Sequence, residues 1–399
     1  MNLDLLFAII FYGLILLYFF THRKRFEVQN KLFVLYKTKL GIRWMDKLAK
    51  KFPRLLNYLS YVSVFIGFAG MIFMFYFLIK GTYSLLAVPN AKPLLAPVLP
   101  GVKIAGLPVL SFWHWILSIL FVAVIHEFCH GVYARLSNIK INSSGFAFLG
   151  PILAAFVEPD EKQLLKKTKK EQLAVFSAGP FSNIVSAFVI LLITIFVINP
   201  FVSSLVSLNG VQVSSLEKSF PAELSGMKVG EEIISINQMG VQNINNFSDL
   251  LVDLKPYDEL IVKTNVSSYN IIATQRPGNS EEGYLGIVVS PLSIDIKKEV
   301  SEKYGNFIPM AFFWISKLFF WLYAISLGVG LFNLLPLGPV DGGRMFSVGA
   351  SYFIKNKKIV MKLFTFVSLF CLLLIFINLL PYIIDLFYFI LKPILVFLF

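Results

Sequence analysis

Residues 111–135, SFWHWILSILFVAVIHEFCHGVYAR, decide how the rest of the chain is read. No Asp, Glu, Lys or Arg interrupts the run before Glu127. At ~1.5 Å per helical residue it is long enough for ~30 Å of hydrocarbon, so a transmembrane helix is expected. Inside it stand His126, Glu127 and His130, an HExxH pattern. A spacing of four places both imidazoles on one helical face, within reach of a single ion. Glu127, beside the first of them, can take a proton from water whose pKa a zinc ion lowers to about 7. The plain alternative is a polar, exposed helix face. The apolar setting argues against it, because ionisable groups within a membrane are costly and mark function. Cys129 is offset from the histidine face and reads as a small buried residue.

Composition extends this reading outward. The 399 residues are 57% hydrophobic and 16% aromatic, with a mean hydropathy of +0.73, values that a soluble domain with a polar surface rarely reaches. The fold expected is a polytopic all-α membrane bundle of about six transmembrane helices. A formal charge of +13 invites a nucleic-acid reading. Lys and Arg gather instead in short stretches beside apolar runs, as in cytoplasmic loops under the positive-inside rule, so no nucleic-acid partner is expected. Cys129 and Cys371 offer no disulfide framework.

Residues 5–20 (LLFAIIFYGLILLYFF) follow no basic region, precede no cleavage site and run into His22-Arg23-Lys24-Arg25. They read as a retained first helix whose end faces the cytoplasm. Residues 23–54 hold 11 Lys and Arg against Glu27 and Asp46 and are expected in the cytoplasm. Further spans are expected over 58–79, from 111 to 135, and over 173–198, 310–335 and 363–380. The proline-bearing stretch 87–108 has too many breakers for a helix. Asp385, Lys392 and Pro393 weaken the case for a seventh helix over 382–399. The apolar segment 145–157 (GFAFLGPILAAFV) is too short to cross as a helix; backbone dipping into the membrane there must be shielded or line a cavity.

A catalytic zinc takes a third protein ligand and keeps a position open for water. The candidate lies in Asn333-Leu-Leu-Pro336-Leu-Gly-Pro339-Val-Asp341-Gly342-Gly343, an acid at the end of an apolar helix in a breaker-rich turn. The plain reading is a helix-ending turn with Asp341 capping the next helix. Counting spans favours the ligand, since Asp341 and the histidines both emerge near the cytoplasmic ends of their helices.

HExxH in one membrane helix and NxxPxxxxDG in a later one resemble the paired signatures of site-2 proteases, the intramembrane zinc metalloproteases. Residues 97–102 (PVLPGV) are similar to the segment preceding the zinc helix in eukaryotic members. Residues 145–157 are similar to the family's re-entrant hairpin, and Ala178-Gly179-Pro180-Phe-Ser-Asn183 to its AGPxxN helix start. The resemblance implies one Zn²⁺ held by His126, His130 and Asp341, with Glu127 as general base. It also implies that Asn333 lies near the scissile carbonyl, with a helix-terminal structural role as the alternative. The departure is Phe128-Cys129, where a small residue, often glycine, commonly precedes the second histidine. The implied activity is peptide-bond hydrolysis within transmembrane substrates trimmed beforehand on the outer side.

Membrane regions at 1–199 and 310–399 flank residues 201–309, which are mixed polar with 13 acidic and 8 basic residues. This insert is expected to be a soluble, extracytoplasmic α/β domain. Residues 220–237 (FPAELSGMKVGEEIISIN) resemble the signature run of PDZ domains, with 247–254 as the groove helix and 259–264 and 270–274 as strands. PDZ domains bind peptide ends by strand addition; a folded spacer that restricts access is the alternative. Two rivals from other classes stand beside the protease. A non-catalytic receptor with structural zinc has no need of Glu127, and a zinc transporter needs a polar pathway that the sparse intramembrane acids do not supply.

Overall fold

A computed structural model describes residues 3–23, 26–29, 33–88, 91, 93–102, 107–149 and 152–398. The chain divides into two compact units, one of residues 1–195 with 317–399 and one of 196–316.

In chain order the first unit begins with α1 (Leu3–Thr21), β1 (Phe26–Gln29), β2 (Phe33–Thr38), α2 (Ile42–Lys51), α3 (Pro53–Ala87) and α4 (Phe112–Leu136). It continues through β3 (Ile141–Leu149), β4 (Ile152–Pro159), α5 (Glu161–Lys166) and α6 (Lys169–Ile193). Three of the long helices start where the sequence supplies a terminus. Pro53 opens α3, where the proline's missing N–H would be unbonded anyway. Ser111 caps α4 by accepting from His114 N–H, and the Asp4 carboxylate accepts the Phe112 N–H at 2.9 Å, fastening the start of α1 to the start of α4. Thr168 and Glu171 form a capping box at α6.

That cap corrects one expectation. The Ala178–Asn183 motif is not a helix start: α6 begins at Lys169, nine residues earlier, and Pro180 lies inside it. A proline in mid-helix forfeits one hydrogen bond, here to the Phe176 carbonyl, and neighbouring helices make the loss tolerable in an apolar setting.

Where a re-entrant hairpin is expected over 145–157, residues 145–149 lie in β3 and 152–157 in β4, which pair antiparallel and join β1 and β2 in a four-stranded sheet of order β1-β2-β3-β4. Residues 23–54, read only as a basic stretch, thus hold two strands and an amphipathic helix. Phe26-Glu27-Val28-Gln29 alternates apolar and polar with the period of a strand. Lys37 ties three strands, reaching Glu27 at 2.8 Å and Glu158 at 3.7 Å. Helix α2 turns Met45 and Ala49 inward against α4, where Gly131 leaves room for the Met45 thioether, and Asp46 pairs with Arg135.

The insert comprises α7 (Asn199–Leu205), β5 (Val206–Leu216), α8 (Pro221–Leu224), β6 (Ile233–Ile236), β7 (Met239–Gly240) and α9 (Ile244–Asp249). It ends with β8 (Glu259–Thr264), β9 (Ser268–Ile272), β10 (Thr274–Arg276), β11 (Asn279–Tyr284), β12 (Ile287–Ile296) and α10 (Lys298–Tyr304). Its sheets are antiparallel, β12-β5, β7-β6-β8-β9 and β10-β11. Val211, Val213, Ile233, Val262 and Ile271 pack a separate core between them. The expected helix over 247–254 is shorter and earlier, because Asn243 caps it by accepting from Asn246 N–H and turns follow Asp249. The strand expected at 270–274 is β9, which starts two residues sooner.

The chain closes with α11 (Phe307–Phe332), α12 (Asp341–Phe353) and α13 (Lys357–Leu398). Among the described residues, six helices are long and apolar enough to cross a membrane: α1, α3, α4, α6 with its continuation to Leu205, α11, and α13 as far as Asp385. Helix α11 stops at Phe332, three residues short of the expected span. Residues 382–398 continue α13 without a break, so they are no separate seventh helix. Pro381 inside that helix removes one bond from its ladder.

Candidate metal centre and active site

Helix α4 carries His126 and His130 one turn apart, and α12 delivers Asp341 at its first position. The turn between α11 and α12 makes that delivery possible. Its Gly342 N–H donates to the Asn333 carbonyl at 2.7 Å and its Gly343 N–H to the Val340 carbonyl at 3.1 Å. A Cβ on Gly342 would collide with the Leu334 and Leu335 carbonyls, and one on Gly343 with the Leu337 carbonyl. The glycines therefore serve close backbone approach. Leu334 and Met345 on either side of the turn are fully buried against α3 and α6.

Asp341 Oδ2 lies 3.0 Å from His126 Nε2 and 3.1 Å from His130 Nε2, and the two nitrogens are 3.1 Å apart. Three donors at the corners of a near-equilateral triangle match a tetrahedral ion with ~2.0–2.1 Å bonds, whose ligand atoms stand ~3.3 Å apart. Two imidazoles and one carboxylate, with no thiolate, are the donor set of a catalytic rather than a structural zinc. Among the described residues this is the group of acids, histidines and cysteines able to hold a metal.

Helix α6 backs the centre, which the sequence reading missed. Val175, Gly179 and Asn183 recur every four residues and so share one face. The Val175 carbonyl lies 2.6 Å from His130 Nδ1, and the Asn183 amide 3.0 Å from His126 Nδ1. A Cβ on Gly179 would strike both ring Nε2 atoms. The signal was present in the AGPxxN motif, but a helix start has no reason to touch the histidines.

Glu127 is turned to the sheet. Its Oε2 accepts the Val157 N–H of β4 at 3.0 Å. A small apolar cavity of about 110 Å³ adjoins this carboxylate, lined by Val124, Phe128, Phe146 and Ala155 among others. Asn333 donates its amide N–H to the Val329 carbonyl at 3.0 Å, and its own carbonyl receives the Gly342 N–H. It therefore helps build the turn that presents Asp341. Replacing Asn333 by Asp keeps its shape and removes the donor. If the residue acts only in the turn, metal retention should fall together with turnover. Full zinc content with turnover reduced by ~10²–10³, as for a lost oxyanion donor, would instead place the amide at the reacting carbonyl.

Donors of this kind, collected among helices of bilayer length, are the arrangement expected of a polytopic membrane protein with a site able to hold one metal ion. The model described as "Peptidase family M50" matches residues 114–374. That match covers more than half of the chain, takes in all three metal-site residues, and places the chain in peptidase family M50, the site-2 protease family of metalloendopeptidases. The chain is also 28% identical over 365 residues to an uncharacterized protein of Methanocaldococcus jannaschii. That likeness covers 87% of this chain and 86% of the other, so it extends beyond the family-matched segment.

Proposed function

We propose that this chain is an intramembrane zinc metalloendopeptidase that hydrolyses peptide bonds within transmembrane segments of other membrane proteins. The observation that carries the reading is the assembly of His126, His130 and Asp341 among bilayer-length helices, with Glu127 next in sequence to the first ligand. Zn²⁺ held by these three residues would act as a Lewis acid and lower the pKa of water to about 7. Glu127 then takes the proton of the attacking water and returns it to the leaving amine. Asn333 is proposed to polarise the scissile carbonyl. The apolar cavity beside Glu127 suits an aliphatic side chain next to the cut, and β4, the outer strand of its sheet, suits an unwound substrate segment. The receptor alternative leaves Glu127 only its bond to the Val157 N–H and no use for a base beside the first ligand.

By the positive-inside rule, the basic stretches at 23–54 and 162–170 face the cytoplasm and the acidic insert lies outside. His126 then sits about 15 residues into its helix, ~22 Å from the outer surface and nearer the cytoplasm. Residues 220–237 and the groove between α9 and β12 support a PDZ-like identity for the insert. A cavity of about 370 Å³ lies there, lined by Phe247, Leu251, Val252, Tyr284 and Ile287 among others. Its proposed role is selection of trimmed substrates, by sterically excluding bulky ectodomains or by capturing the new peptide end.

One experiment tests these points together. The full chain is expressed beside a panel of single-span proteins, with and without bulky ectodomains, and fragment ends are mapped by mass spectrometry. Cuts are expected inside the substrate membrane segments, towards the cytoplasmic side. Cuts confined to soluble loops would refute intramembrane action. A chain with residues 213–289 replaced by a flexible linker is expected to accept untrimmed substrates if the insert excludes, and to lose trimmed ones if it captures. Unchanged selectivity would remove both roles.

A further inference from the structure

Both imidazoles at the metal centre are held from behind by α6, but by chemically different partners. His130 Nδ1 faces the Val175 main-chain carbonyl at 2.6 Å. A carbonyl can only accept, so it fixes the ring whatever side chain stands at position 175. His126 Nδ1 instead faces the side-chain amide of Asn183 at 3.0 Å. We infer that Asn183 is a positioning residue for His126: its amide oxygen accepts the Nδ1 proton and holds the imidazole in the tautomer whose Nε2 lone pair faces Asp341 and His130. The inference rests on the metal-site reading given above.

The geometry leaves little choice. A neutral imidazole carries one N–H. His126 Nε2 stands 3.0 Å from Asp341 Oδ2 and 3.1 Å from His130 Nε2, so this is the ligating edge and the proton belongs on Nδ1. Only an acceptor can sit opposite. The two ends of an amide have the same shape, and the hydrogen-bond partner decides which is which; here it must be the oxygen. Asn183 is fully buried, and with its nitrogen towards His126 the oxygen has no partner at all. Turning the oxygen to Nδ1 satisfies it, while the burial of a polar amide still carries its desolvation cost. A residue recruited for packing alone would avoid that penalty by being apolar.

The amide is also held in place. Ser326 on α11 donates to the Asn183 main-chain carbonyl at 2.9 Å, and Gly330 on the same helix leaves 3.1 Å between its would-be Cβ and that of Asn183. Helix α11 thus fixes α6 at the level of the amide, and Gly179 one turn earlier lets α6 come close enough for the contact. A histidine ligand oriented in this way loses roughly 10–100-fold in metal affinity when its partner is removed.

The test compares three substitutions in the full chain in detergent micelles. Asn183→Asp keeps an acceptor oxygen, Asn183→Leu keeps volume without an acceptor, and Asn183→Ala removes both. Zinc affinity is measured by competition with a chromophoric chelator, and ligand geometry by the d–d absorption of the Co²⁺-substituted chain. Melting of the metal-free chains monitors folding. The Leu and Ala variants are expected to bind zinc about 10–100-fold more weakly with an altered Co²⁺ band, and the Asp variant to stay close to wild type in both. A Leu variant with wild-type affinity and spectrum, or an Asp variant that falls as far as Leu, would overturn the inference. If the Leu variant melts early, Asp against Ala carries the comparison. A wild-type chain that binds neither ion would overturn the metal-site reading itself, and this inference with it.

Discussion

Replacing Gly179 by alanine is expected to empty the metal centre while leaving the helices folded. The added methyl would strike His130 Nε2 and His126 Nε2, the atoms that face Asp341. Helix α6 cannot simply withdraw. Val175, one turn earlier, is bonded to His130, and Ser177 is joined to Ser63 of α3 by a buried 2.9 Å hydrogen bond. Overpacking of this kind costs ~1–3 kcal/mol in fold stability, an amount that a bundle of this size can absorb. Three donors that must meet one ion cannot absorb it, because displacing two of them breaks the triangle. Metal analysis after gel filtration should find no zinc in the variant, and cleavage should be absent, with helicity by circular dichroism unchanged. An alanine variant with full zinc and normal turnover would show that the imidazoles lie elsewhere in the working enzyme.

Glu127→Gln is expected to produce the opposite separation, with zinc retained and turnover reduced by ~10²–10⁴, the usual contribution of a general base. Glutamine preserves the shape and still offers an oxygen to the Val157 N–H, which Glu127 accepts at 3.0 Å. The hairpin therefore stays anchored while proton acceptance is lost. Glu127→Ala would remove both functions and could not tell them apart. Zinc content and the rate of fragment release, measured on the same preparation, settle the matter. Unimpaired release by the Gln variant would assign the residue to anchoring alone and move the general base elsewhere.

The parts of this structure that rest on long apolar periodicity and on HExxH could be read in advance. A bilayer-length helix has to be nearly continuous in apolar residues, so α1, α3, α4, α6, α11 and α13 announce themselves. What hid was short or lay beneath a stronger signal. The four residues of β1 alternate as a strand should, but they sit within a dense basic stretch whose charge dominated the reading. In α6, Pro180 suggested a boundary because proline commonly marks one, whereas the true start was set by Thr168 and Glu171. The roles of Val175 and Asn183 were beyond reach for a different reason. One acts through its main chain, which no residue type encodes, and the other through a neighbour 57 positions away.

The proposed third ligand arrives late. Asp341 lies 211 residues after His130, beyond the whole insert and α11. A ribosome adding ~5–20 residues per second takes ~10–40 s to cover that distance. Throughout that interval the nascent chain holds both histidines and the glutamate but lacks the carboxylate that completes the triangle. On the proposed reading, proteolytic competence waits until synthesis has passed the insert, α11 and the turn before α12. A chain stalled or truncated before Asp341 would leave the membrane with an inert set of helices and no partly active protease.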